Sequence, residues 1–255
     1  MRTDSLAGTR QGTWRGRVGK LLSRVVSGAV NVIGSLPYLL AAERHVHALS
    51  ARLDRPAMTS IIAHFARIPE FRGGRKYLRA SWYVRDSMAR AVALGLDHNA
   101  PLRILDLGSG AGYFLLACRH FGHEVLGFDL PGNRFYAEMF RHLGLPRVEG
   151  AIQRMQPLGA VEGKFDLVTA FAVTFAKIRS ADGTADWGEA EWRFFFEDIR
   201  GRLNPGGRLF LRLNLLPVAG LRDRRRYPFL YRPIPGYEVT VLNRREVCLK
   251  AVRQR

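Results

Sequence analysis

The chain has 255 residues, 47% of them hydrophobic, which is enough for one α/β domain with an N-terminal extension. Its formal net charge is +18, and such a charge favours anionic partners. The two cysteines, Cys118 and Cys248, exclude a disulfide framework and a cysteine-based metal site, and we predict no metal. Since apolar residues surround Cys118, we expect a buried thiol in a protein of a reducing, cytoplasmic compartment.

The N-terminal sequence predicts a basic tail over residues 1–20 and helical structure over 21–53, broken near Pro37. Residues 25–42 carry no formal charge and follow a basic stretch. Their polar residues and Pro37 argue against a membrane-spanning helix or a cleaved signal peptide. The remaining alternatives are a helix that packs on the domain or a partner, and peripheral contact of residues 15–42 with a membrane surface.

After this region, helical and strand patterns alternate. The sequence predicts helices at 54–71, 77–94, 113–121, 133–143 and 189–203, strands at 102–107, 125–128, 147–152, 164–175 and 208–215, and a hairpin at 237–252. Such alternation is typical of a doubly wound, mostly parallel sheet. We therefore divide the chain into a basic tail with a helical cap, residues 1–74, and an α/β domain, residues 75–255.

The stretch 102–131 carries the most information about function. An apolar run meets three glycines, Gly108, Gly110 and Gly112, and a second apolar run ends at Asp129. Glycines permit a tight turn and close approach of a ligand, and a carboxylate at the tip of the second strand can accept hydrogen bonds from ribose hydroxyls. The layout predicts a βαβ unit that binds a nucleoside.

These motifs resemble those of class I S-adenosylmethionine-dependent methyltransferases over about residues 75–252. LDLGSGAG (105–112) resembles the family's first motif, GFDLP (127–131) its ribose-binding acid, FDLVTAFAVTF its fourth motif, and LNPGGRLFLRLN (203–214) its Pro-Gly-Gly turn. The resemblance implies a Rossmann-like sheet of seven strands and S-adenosyl-L-methionine as the cofactor. The stretch 186–214 also looks like bacterial methyltransferases of unassigned substrate.

A dinucleotide-dependent oxidoreductase is the main alternative for the glycine motif. Its fingerprint needs a small residue at position 113, where this chain has the bulky Tyr113. A methyl donor has no diphosphate to be held, so the loop fits the methyl donor better.

The resemblance also implies roles for particular residues. Asp106, with Gly108, Ser109, Gly110 and Gly112, would line the methionine part of the donor. Asp129 would bind the ribose, and Leu130 and Phe171 would flank the donor. These positions are read from the sequence.

Four further residues are candidates for donor contacts. Where the family often has an acid for the adenine amino group, residues 151–158 offer the neutral acceptor Gln153. Tyr77, with Tyr83, could close over the donor from the N-terminal side, and Arg79 could pair with its carboxylate.

The sequence pattern indicates no particular residue as a catalytic base. A hydroxyl acceptor needs such a base, whereas a neutral amine does not. The acidic loop 180–192 supplies the candidates Asp182, Asp186 and Glu191. The alternative to a catalytic role is that these acids lie in a solvated loop and in the first turn of a helix, where the helix dipole favours acids. Trp187 and Trp192 could cover the site or pack in the core. His120 and His123 are expected at the surface, away from the ligand.

The charge makes nucleic acid a further acceptor to weigh. Residues 172–175 lack the Pro-Pro turn of enzymes that methylate DNA amino groups, and neither cysteine follows a proline. The basic cluster 221–232 could grip phosphates, yet the chain has no recognisable RNA-binding module.

We therefore expect methylation of an oxygen or nitrogen of a small molecule, such as a glycan or lipid precursor. The alternatives are an RNA methyltransferase and a donor-binding scaffold or sensor without turnover. The sequence predicts neither the acceptor nor an oligomeric state.

Overall fold

A computed structural model describes residues 37–38, 40–51, 53–68, 71, 75–173, 177–180, 183–213, 230, 232–242 and 246–252. The predicted basic tail, most of the basic cluster 221–232 and Asp182 lie outside the described residues. The helices are α1 (40–51), α2 (Arg55–Ala66), α3 (Ala80–Ala93), α4 (Tyr113–His120), α5 (Arg134–Leu143) and α6 (Glu189–Gly201), and a 3₁₀ turn spans Arg75–Leu78.

Nine strands are described: β1 (Arg103–Leu107), β2 (Glu124–Asp129), β3 (Arg147–Glu149), β4 (Phe165–Val173), β5 (Lys177–Ser180), β6 (Gly183–Asp186), β7 (Leu203–Leu213), β8 (Tyr237–Val241) and β9 (Glu246–Ala251). Seven form one sheet in the order β3-β2-β1-β4-β7-β9-β8, in which β9 alone runs antiparallel to its neighbours. The predicted seven-stranded, mostly parallel, doubly wound sheet is confirmed.

The two faces of the sheet have separate cores because successive strand residues point to opposite sides. On one face, Ile104, Leu167 and Phe210 pack with α3, α4 and α5. Residues of the N-terminal extension join this same core: Ala42, Val46 and Leu49 of α1 and Phe65 of α2. The extension is therefore built into the helical layer of that face.

On the opposite face, Leu105 and Val168 pack against α6. Trp187 and Trp192 belong to this core and are 3% and 2% exposed. Of the two sequence-based alternatives for these tryptophans, the structure shows core packing. Cys118 is fully buried, as expected, and burial raises the pKa of its thiol.

Two segments differ from the sequence-based expectation. The stretch predicted as an acidic loop, 180–192, begins with part of an antiparallel hairpin, in which β5 pairs with β6 and Ser180 lies opposite Gly183. The segment 204–207, Asn-Pro-Gly-Gly, lies within β7, where the register of pairing between β7 and β4 shifts. Gly206 has a φ of +78°.

The expectation of a surface position for His123 is wrong. His123 is 3% exposed, and its Nδ1 accepts a hydrogen bond of 3.1 Å from the backbone nitrogen of Leu102. Its Nε2 lies 2.8 Å from the carbonyl oxygen of Leu96. This pairing requires the neutral ring with its proton on Nε2, since Nδ1 must accept. The turn after α4 thus brings the histidine under the 96–102 connection, which a local pattern does not reveal.

Within the described segments, no helix is long and apolar enough to cross a membrane.

Candidate functional site

The glycine loop between β1 and α4 turns tightly back towards the tip of β2. Gly108, Gly110 and Gly112 have φ angles of +73°, +57° and +79°, which side chains with a Cβ rarely adopt. The carbonyl oxygen of Phe128 accepts hydrogen bonds from the nitrogens of Gly108, at 2.7 Å, and Ser109, at 3.3 Å. The loop therefore lies against the end of β2, where Asp129 follows.

Asp129 is positioned by the loop itself. Its Oδ2 accepts a hydrogen bond of 2.6 Å from the nitrogen of Gly110, and its Oδ1 accepts one of 2.7 Å from the nitrogen of Leu130. An ionised carboxylate has about four acceptor positions, so each oxygen keeps one for a ligand. Arg147 donates to the carbonyl oxygen of Leu130 at 2.8 Å and holds this segment, whose Leu130 side chain is 58% exposed. The arrangement suits two adjacent hydroxyl groups beside an apolar surface.

Asp106 lies beneath the loop and is almost completely buried. Thr169 of β4, opposite it in the sheet, donates a hydrogen bond of 2.6 Å to Oδ1. Burial raises the pKa of Asp106 to about 7, although the Thr169 hydrogen bond and the Arg90 guanidinium oppose that rise. The site thus contains a buried acid that titrates near neutrality and is suited to a cationic ligand group.

A wall of tyrosines covers the glycine loop. A Cβ on Gly110 would lie 3.5 Å from the ring of Tyr77. The hydroxyl of Tyr113 donates a hydrogen bond of 2.9 Å to the backbone carbonyl of Tyr77, and the Tyr77 ring contacts those of Tyr83 and Tyr136. Burial raises the pKa of Tyr113 and of Tyr136, so these phenols stay neutral.

Phe171 lies in the core at the edge of this site. Its ring packs against Phe114 and Phe210, with centroids 4.6 and 5.5 Å apart, and the Arg90 guanidinium lies 4.9 Å above it. Arg90 also pairs with Asp86 at 2.5 Å. Sequence reasoning missed both Arg90 and Thr169. A signal for Thr169 was present, a polar residue in the apolar strand 165–173, and Arg90 stands out between the buried Ala89 and Ala91 of α3.

The remaining candidate donor contacts surround this centre. Ser109 is 8% exposed, and its hydroxyl has no hydrogen-bond partner in the described part of the chain. Gln153 is exposed three residues beyond Gly150, whose nitrogen donates to the carbonyl of Asp129 at 2.9 Å. Arg79 is exposed at the start of α3. The structure therefore brings together the glycines, both aspartates, Ser109 and Tyr77, and leaves Gln153 and Arg79 at the surface.

Glu191 forms structural contacts rather than lying free as a base. Its Oε2 accepts a hydrogen bond of 3.0 Å from the nitrogen of Gly188, and its Oε1 one of 2.7 Å from Arg154. Backbone N–H groups at the start of α6 and then Arg154 lower the pKa of this carboxyl. These are the contacts of an acid that caps the N-terminus of its own helix. Asp186 lies in β6, opposite Lys177 of β5.

The fold and site define a nucleoside-binding α/β protein, and comparison with known families is more specific. The sequence matches the family of the "Methyltransferase domain" over residues 78–234, more than half of the chain. The chain belongs to this methyltransferase family, which confirms the expected class, the S-adenosylmethionine-dependent methyltransferases. No curated protein matches the sequence significantly.

Several solved structures are similar to the chain at low identity. The ribosomal protein L11 methylase from Lactobacillus delbrueckii subsp. bulgaricus is 18% identical, with 67% of this chain and 80% of that chain covered and a TM-score of 0.43. An O-methyltransferase family protein from Burkholderia thailandensis is 16% identical, with 84% and 71% covered and a TM-score of 0.44. The glycopeptide N-methyltransferase MtfA is 15% identical, with 68% and 90% covered and a TM-score of 0.43. The family assignment depends on the sequence match alone.

Proposed function

We propose that this chain transfers the methyl group of S-adenosylmethionine to an oxygen or nitrogen of a small-molecule acceptor, such as a glycan or lipid precursor. The observation that carries the donor half is the position of Asp129, held between Gly110 and Leu130 with one acceptor position left on each oxygen. In this proposal the ribose hydroxyls take those two positions.

The other residues of the site fit the remainder of the donor. Asp106 supplies a buried carboxyl group for the methionine ammonium, and the hydroxyl of Ser109, which has no hydrogen-bond partner among the described residues, supplies a further polar contact. Leu130 offers an exposed apolar side chain to the adenine. When bound, S-adenosylmethionine supplies a methyl group on a positively charged sulfur.

The tyrosine wall supports a role in orienting reactants. Tyr77 lies over Gly110, and the neutral phenols of Tyr113 and Tyr136 add no charge next to it. Since methyl transfer is an in-line displacement that disperses charge, positioning the acceptor and excluding water contribute most of the catalysis. An amine acceptor needs no base from the protein, which agrees with the capping contacts of Glu191.

The test of the donor site is calorimetric titration with S-adenosylmethionine. Asp129→Ala removes the charged acceptor of the ribose and is expected to weaken binding by about 10- to 150-fold. Gly110→Val is expected to abolish binding, because it places a branched side chain at positive φ beneath Tyr77. The matched control, Glu162→Ala, changes an exposed acid outside the site and should bind as the wild type. Unchanged affinity in both site variants would contradict the proposed donor site.

Turnover is tested separately by formation of S-adenosylhomocysteine from labelled donor. Product that requires a small-molecule extract supports the proposal, and product that requires RNA identifies an RNA methyltransferase. Donor binding without turnover on any acceptor class would instead identify a scaffold or sensor.

A further inference from the structure

A line of exposed residues runs along the start of α3. Lys76, Arg79, Trp82 and Arg85 follow one another at intervals of three and are all exposed. The backbone nitrogen of Arg79 donates to the carbonyl of Lys76 at 3.4 Å, and that of Trp82 to the carbonyl of Arg79 at 3.1 Å. Within α3, which begins at Ala80, the spacing of three keeps Trp82 and Arg85 on one side, and this ridge of the helix is preceded in the chain by the cations Lys76 and Arg79.

The ridge continues onto α1 through an ion pair. Arg85 binds Glu43 of α1 at 2.7 Å. Leu40 lies one turn before Glu43 in α1, and Trp82 lies one turn before Arg85 in α3, so each apolar side chain is one helical turn from this ion pair. Leu40 is 71% and Trp82 48% exposed. We call this surface, made of Leu40, Lys76, Arg79, Trp82 and Arg85, the Trp82 surface.

The Trp82 surface carries uncompensated positive charge. Glu43 is already paired with Arg85, and the nearby Asp86 is paired with Arg90. Lys76 and Arg79 form no ion pair within the described chain, and the ammonium of Lys76 lies 4.8 Å above the Tyr77 ring. Since Tyr77 covers Gly110, the surface borders the proposed donor site.

We propose that the Trp82 surface docks on an anionic membrane surface. Tryptophan prefers the interface of a bilayer, an exposed leucine gains free energy when it leaves water, and Lys and Arg are attracted to anionic headgroups. Nucleic acid would use the cations and stack a base on Trp82, but it offers nothing to Leu40, the most exposed of the large apolar side chains of the described residues.

Docking does not depend on the acceptor or on methyl transfer, so it is measured without the donor. The full chain is sedimented with vesicles of phosphatidylcholine alone and with vesicles that also contain phosphatidylglycerol. We expect binding to the anionic vesicles only, and weaker binding as salt rises. Failure to bind anionic vesicles, or equal binding to both kinds, would overturn the proposal while leaving the donor-site test unaffected.

Variants separate this surface from the basic sequence 1–36. Trp82→Ala, Leu40→Ser and Lys76→Gln are each expected to weaken vesicle binding, the last by about fivefold for the one charge removed. Arg79 stays unchanged because it is a candidate donor contact. The matched controls Leu242→Ser and Lys250→Gln alter exposed residues at the end of β8 and in β9, away from the Trp82 surface, and should bind as the wild type.

The variant series can either support or overturn the proposed docking on a membrane. Thermal unfolding confirms that each variant is folded. If folded variants of the Trp82 surface bind anionic vesicles as well as the wild type does, other residues dock and the proposal is wrong. If Lys76→Gln weakens binding to single-stranded RNA and leaves vesicle binding intact, the partner of this surface is nucleic acid.

Discussion

Thr169 donates a hydrogen bond of 2.6 Å to Asp106, and this contact joins β4 to β1 directly beneath the glycine loop. Thr169 is fully buried and Asp106 is 3% exposed. The carboxyl group of Asp106 is therefore shielded from water, and this burial raises its pKa to about 7. The contact places an acid with two accessible protonation states under the proposed donor site.

This pKa predicts an unusual dependence of stability on pH. Between about pH 4 and pH 7 the folded protein keeps a proton on Asp106 that the unfolded chain has lost. The free energy of unfolding therefore falls as pH rises through that range and levels off above it. Asp106→Asn removes this contribution. Between pH 5 and pH 8, the free energy of unfolding of the wild type should fall by about 2–3 kcal/mol relative to that of the variant.

Urea unfolding at both pH values measures this shift. Glu162→Gln, an exposed substitution, is the control and should show the pH profile of the wild type. Parallel profiles for Asp106→Asn and the wild type would mean that Asp106 does not titrate in this range.

Tyr113→Phe should loosen the cover over the glycine loop. The change removes the 2.9 Å hydrogen bond to the carbonyl of Tyr77 and is expected to cost about 1 kcal/mol of stability. Because Tyr77 lies over Gly110, the affinity for S-adenosylmethionine should also fall, by several-fold. Calorimetry and urea unfolding measure the two effects.

Tyr237→Phe is a matched control for this change. It removes a hydroxyl that donates 2.7 Å to the carbonyl of Phe196, on the other face of the sheet. Its stability loss should be similar and its donor affinity unchanged. Equal donor affinities in both variants would show that the Tyr113 hydroxyl does not position Tyr77 for the donor.

Glu191→Gln distinguishes a helix cap from a catalytic base. We expect a stability loss of about 1 kcal/mol, because the charged contacts to Gly188 and Arg154 become neutral. The rate of methyl transfer should stay close to that of the wild type, since loss of a general base typically costs about 10²–10⁴-fold. Arg154→Gln, which removes the partner, should behave alike. A rate loss of that size in Glu191→Gln alone would restore Glu191 as the base.

His123→Ala should destabilise the protein without affecting the site. The substitution leaves the nitrogen of Leu102 and the carbonyl of Leu96 without their buried partner, at a cost of about 2–4 kcal/mol. His98→Ala is the control, because that side chain is 76% exposed and the expected change is within about 0.5 kcal/mol. Urea unfolding of the three proteins checks the difference, and equal midpoints would contradict the structural role of His123.

The donor half of the site was predictable because its signals are local. The glycine loop and Asp129 lie within about 20 residues of sequence, and the positive φ angles at Gly108 and Gly110 favour glycine. The alternation of helices and strands likewise determined the parallel sheet. Contacts across the sheet were not predictable in this way: Asp106 meets Thr169 over 63 positions of sequence, and no motif joins the two.

The features that were not predicted from the sequence have the same physical origin. His123 is buried because a distant turn supplies its partner Leu96, and Arg90 is placed over Phe171 by the packing of α3. The hairpin of β5 and β6 was predicted as a loop because of the acidic composition of residues 180–192. Docking of α1 through Glu43 and Arg85 depends on tertiary structure alone.

The position of β9 has a consequence for how the chain acquires its shape. β9 is the last strand of the described chain, yet it lies inside the sheet, and both β7 and β8 bind to it. During synthesis on the ribosome, the edge of β7 therefore stays unpaired until residues 246–251 have emerged. The hydrophobic side chains of Val247 and Leu249, both fully buried, then close that half of the core. The sheet is therefore completed only when β9 pairs, and a nascent chain that stops before β9 presents an open strand edge to its surroundings.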